Sequence, residues 1–77
     1  MSCSSLKHRF EEQRKKGISF EQAMEIYQDL EGSVAAHRAE LQELQNTNAD
    51  QNRIAYLQQH VADGEALLNE IRSMKLQ

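Results

Sequence analysis

Phe20, Ala23, Tyr27, Leu30, Val34, His37, Leu41 and Leu44 recur in steps of three and four, and no other stretch restricts the fold as strongly. Seven of these eight positions are apolar or aromatic. Alternating steps of three and four average about 3.5 residues, close to the helical turn, so the positions draw one seam down one side of a helix. The same spacing returns beyond a polar run, at Ile54, Leu57, Val61, Gly64, Leu68 and Ile71.

Two matched seams joined by about three to five polar residues imply antiparallel neighbours, because so short a link cannot carry a parallel return. If Leu44 faces Ile54, both seams step in the same order. Leu41 then meets Leu57, His37 meets Val61, Val34 meets Gly64, Leu30 meets Leu68, and Tyr27 meets Ile71. Gly64 lies opposite Val34 and near Gly32, which marks the expected point of closest helix approach. The expected fold is all-α: an antiparallel hairpin of two long helices, about 20–45 and 49–74, preceded by a short N-terminal helix. In domain terms, residues 1–17 form a basic segment with the short helix and residues 18–77 form the hairpin.

Local signals place the helix ends. Ser19 and Gln22 have the spacing of a capping box, in which each side chain reaches the other's backbone N–H. Thr47, Asn48 and Asp50 each qualify as the cap of the third helix. Ser4 or Ser5 can cap a first helix from Leu6 to about Lys16, and Gly17 suits the left-handed position after it. Leu6 and Phe10 make only a small apolar patch on that helix, so weak docking is expected. Proline is absent, which favours uninterrupted helices.

The net charge of −3 hides an asymmetry. Lys7, Arg9, Arg14, Lys15 and Lys16 outnumber Glu11 and Glu12 in residues 1–17, whereas the remainder is strongly acidic. The body should repel nucleic acid, and the basic trio Arg14, Lys15 and Lys16 reads first as a complement to the helix dipole. Glu21, Glu25 and Asp29, spaced by four, form an acidic stripe that calls for a basic counterpart, either that trio or a partner protein.

The apolar surface exceeds what one interhelical contact covers. Met24, Ile26, Ala35, Ala36 and Ala39 flank the first seam, and Ala55, Tyr56, Leu67 and Met74 flank the second. This surplus predicts a cover: the first helix folding back, a second copy of the chain, or another protein. Met24, Ile26, Tyr56, Leu67 and Met74 are the expected partner-binding residues.

Chemistry finds little to work with. His37 and His60 are too few for a structural zinc site, and the single cysteine, Cys3, lies away from them in sequence. No nucleophile elbow, glycine-rich phosphate loop or paired-carboxylate cleft is visible, so no enzyme activity, cofactor or metal is expected. A lone cysteine points to a reduced, cytoplasmic setting. No window nears the roughly 18 apolar residues of a membrane span, so insertion is not expected.

Tyr27, Gln28, Asp29, Leu30 and Glu31 early in one helix, the Gln-rich opening Asp50, Gln51, Asn52 and Leu57, Gln58, Gln59 of the next, and the closing cluster Leu67, Leu68 and Ile71 carry a family likeness. From Ile26 to Met74 the layout resembles the small hairpin co-chaperones of type III secretion needle subunits. That resemblance implies a hairpin that pairs with a helical chaperone and keeps a secretion subunit from polymerising. The basic first segment is longer than that family's pattern.

The leading expectation is a non-enzymatic module that covers an apolar surface of a partner protein. The alternatives are a homodimeric four-helix bundle with its basic segment on nucleic acid, and a small phage-type inhibitor of a host protein.

Overall fold

The computed structural model describes residues 3–47 and 50–74, the side chain of Cys3 excepted. They form three helices: α1 (Cys3–Lys16), α2 (Phe20–Thr47) and α3 (Gln51–Ser73). At about 1.5 Å per residue, the 28 residues of α2 run almost the whole 46 Å length of the molecule.

The helix ends follow the local chemistry closely. Ser19 N–H donates to Gln22 Oε1 at 3.0 Å, and Gln22 N–H donates to Ser19 Oγ at 3.1 Å. Both bonds of the capping box are therefore made. Asp50 caps α3, accepting from Asn52 N–H at 2.9 Å. Of the other two cap candidates, Thr47 closes α2 and Asn48 lies outside the described residues. Gly17 takes φ +90°, a conformation that a Cβ would strain, and its N–H returns to Arg14 C=O at 3.2 Å to end α1.

α2 and α3 pack side by side as the hairpin, in the register the seams imply. Arg72 sits over the Tyr27 ring, His37 stacks on His60, Arg53 pairs with Glu40, and Arg38 pairs with Glu65. These cross-links fall evenly on either side of the alignment that sets Tyr27 against Ile71 and Leu44 against Ile54. Leu30, Val34, Ile54, Leu57, Val61, Gly64, Leu68 and Ile71 are buried, whereas Tyr27, Leu41 and Leu44 are half-buried.

α1 departs most from expectation. It begins at Cys3 rather than Leu6, so Ser4 and Ser5 lie inside its first turn and do not cap it. Leu6 and Phe10 are both 0% exposed and share one core with Ala23, Ile26, Leu30, Leu67, Leu68 and Ile71. The valley between two packed helices surrounds each of these two side chains on several sides, which a flat helix face does not. The helix runs antiparallel to α2. Arg9 meets Asp29 at 3.4 Å and Glu25 at 3.8 Å, and Arg14 meets Glu70 of α3 at 2.7 Å. Arg9, not the basic trio, thus meets two of the three carboxylates of the acidic stripe. On the inner face of α1, Gln13 leaves its Oε1 buried with no hydrogen-bond partner among the described residues.

Two further expectations are corrected. Phe20 does not join the seam and is 58% exposed, because in this register its counterpart would lie beyond the end of α3. Gly32 marks no close crossing: it is exposed, and a Cβ there would meet nothing within 4 Å.

Candidate docking surface

Two surfaces remain where the surplus apolar side chains emerge, and α1 separates their fates. On α2 the row Ala23, Ile26 and Leu30 turns toward α1 and is buried. The neighbouring row Phe20, Met24 and Tyr27, at helical spacing, turns away from it. At the same end of the molecule α3 contributes Ile71 and Arg72 from its last turn and Met74 from the extended C-cap that follows it. The six residues line an open groove of about 370 Å³.

The groove is apolar apart from one rim. The Arg72 guanidinium lies 5.7 Å above the centre of the Tyr27 ring, within range of a cation–π contact that fixes the planar cation without using its N–H donors. Arg9, Arg14, Arg38 and Arg53 each pair with a carboxylate. Among the described residues Arg72 pairs with none, although Glu31 lines the neighbouring groove with it.

The second surface lies toward the hairpin loop, on the two-helix part of the molecule. Arg53 sits 5.2 Å over the Tyr56 ring, Tyr56 tilts against His60 at 4.4 Å, and His60 stacks on His37 at 5.4 Å. His37 Nδ1 lies 2.7 Å from Ser33 C=O; the carbonyl only accepts, which assigns the proton to Nδ1. Tyr56 is 51% exposed. Among the described residues no group of three His, Cys, Asp or Glu side chains converges on a metal-sized site.

The five expected partner-binding residues therefore do not form one surface. Met24 and Met74 line the groove, and Tyr56 stands on the ladder toward the loop. Ile26 and Leu67 are buried with Leu6 and Phe10, so the first helix, not a partner, covers them. Phe20, Tyr27, Ile71 and Arg72 line the groove without having been expected there. The register itself held the signal for Phe20, whose counterpart lies past the end of α3. Arg72 carried no comparable sequence signal.

Among the described residues no helix is long and apolar enough to cross a membrane. Comparison with protein-family models, with curated proteins and with solved structures gives no match for this chain.

Proposed function

We propose that this chain is a non-enzymatic protein-binding module of the cytosol, covering an apolar surface of another protein as a co-chaperone, adaptor or inhibitor does. On the resemblance of residues 26–74, a needle-subunit co-chaperone of type III secretion is one form such a module would take. The reading is carried by the groove of Phe20, Met24, Tyr27, Ile71 and Met74, which the chain's own first helix leaves open although it buries the adjoining row. A large aromatic side chain held at the mouth of an apolar groove is the kind of anchor on which protein interfaces concentrate their energy.

Replacing Phe20 by p-benzoylphenylalanine and irradiating cells that express the chain tests this. A discrete adduct with a different protein is expected, absent when the probe stands at exposed Gln58. Adducts at both positions alike, or none at Phe20, would refute the reading.

A homodimeric bundle is the second reading, favoured by half-buried Leu41 and Leu44 and exposed Tyr56 on the two-helix part of the hairpin. It requires a melting temperature that rises with protein concentration, since the dimer would be the folded unit. A nucleic-acid role for the basic segment is weakened by the engagement of Arg14 with Glu70 and of Arg9 with Asp29.

A further inference from the structure

Resting on the protein-binding reading, we propose that the groove takes an acidic amphipathic segment, a peptide with one or two large apolar anchors and a carboxylate within a turn of them that pairs with Arg72. Size and charge both lead there.

The groove, at about 370 Å³, sits at the low end of the range for sites that hold a compact group. It can seat a Leu, Met or Phe side chain or two. A second copy of the chain would need about 800 Å² of contact per partner, far more than these six residues present. A short helical or extended segment therefore fits better than a whole second hairpin.

One cation at this end stands without a carboxylate of its own chain among the described residues. Four of the five arginines are neutralised by carboxylates of the same chain. Arg72, stacked on Tyr27 at the rim, has no such partner among the described residues. Its planar fork matches a carboxylate bidentately, and the apolar wall beside it would strengthen that pair by limiting water access. Lys15 and Lys16 end α1 three residues before α2 begins, so they add positive charge at the same pole. Glu21 in the first turn of α2 and Glu25 one turn further on oppose that charge. Glu31, beside Arg72 on the far side, is the internal carboxylate an incoming one would have to outcompete.

Selection of a random peptide library displayed on phage against the immobilised full chain tests the proposal. Recovered sequences should share a Leu, Met, Phe or Trp with an Asp or Glu within four positions. A synthetic copy should bind with an affinity that Arg72→Glu weakens by about tenfold or more, that Arg72→Lys partly restores, and that Glu31→Gln leaves equal or improved. Arg72 is exposed, so circular dichroism should show all three variants folded. Recovery of basic peptides, of none, or of peptides indifferent to Arg72→Glu would overturn the acidic-segment proposal. Binding to phosphatidylserine vesicles with no peptide recovered would overturn it in favour of a lipid surface. The Phe20 cross-link separates the two levels. A heterotypic adduct that survives Arg72→Glu keeps the module and removes the acidic occupant, whereas loss of the adduct at Phe20 in the unmodified background removes both.

Discussion

Phe10→Ala is the sharpest probe of how α1 is held. The Phe10 side chain is 0% exposed, and with Leu6 it closes the valley over Ile26 and Leu67. Truncating a buried phenylalanine removes its transfer free energy and leaves a cavity, together about 3–5 kcal/mol. A core of this size supplies only about 3–5 kcal/mol in all, so the variant should sit near its folding threshold. The ion pairs of α1 should matter far less. Arg14 and Glu70 have side chains 54% and 47% exposed, and such a pair contributes about 0–1 kcal/mol. Urea unfolding followed by circular dichroism should therefore rank Phe10→Ala several-fold above Arg14→Gln. In thermal melts each kcal/mol should lower the midpoint by about 4–8 °C. Phe10→Leu, losing volume but not apolarity, gives a graded intermediate if the alanine variant does not fold. The reasoning fails if Phe10→Ala costs under about 1 kcal/mol, or if Arg14→Gln costs as much. Either result would mean that α1 rests on the hairpin through its charges, or hardly at all.

Three further outcomes follow from particular residues and are read in the same melts. Gly32→Ala should raise stability by up to about 1 kcal/mol, because the site is mid-helix and a Cβ there meets nothing within 4 Å, whereas Gly17→Ala should lower it because φ is +90°. Ser19→Ala should cost about 1 kcal/mol by stripping Gln22 N–H of its acceptor, with Gln22→Ala costing less because the Ser19 hydroxyl still caps α2. Gln13→Leu should stabilise the chain by about 1 kcal/mol, since it removes an acceptor that is buried unpaired; a destabilised Gln13→Leu would show that Oε1 is satisfied in solution.

Much of the architecture was legible before any coordinates. The hairpin, its register and its caps rest on signals that repeat along the chain or act within four residues, so they survive without knowledge of the rest. The Ser19 and Gln22 pair, the left-handed Gly17 and the alignment of Tyr27 with Ile71 are of this kind.

What sequence could not rank was the worth of α1. Leu6 and Phe10 look meagre on an isolated helix and become fully buried once two other helices form walls around them. The same three-body geometry decided that Ile26 and Leu67 are interior, that Arg9 faces Asp29, and that Phe20, Met24 and Met74 stay at the surface with Arg72 beside them. Periodicity tells which side chains share a face of one helix; only the packed chain tells which faces the third helix covers, because burial there depends on walls supplied by residues distant in sequence.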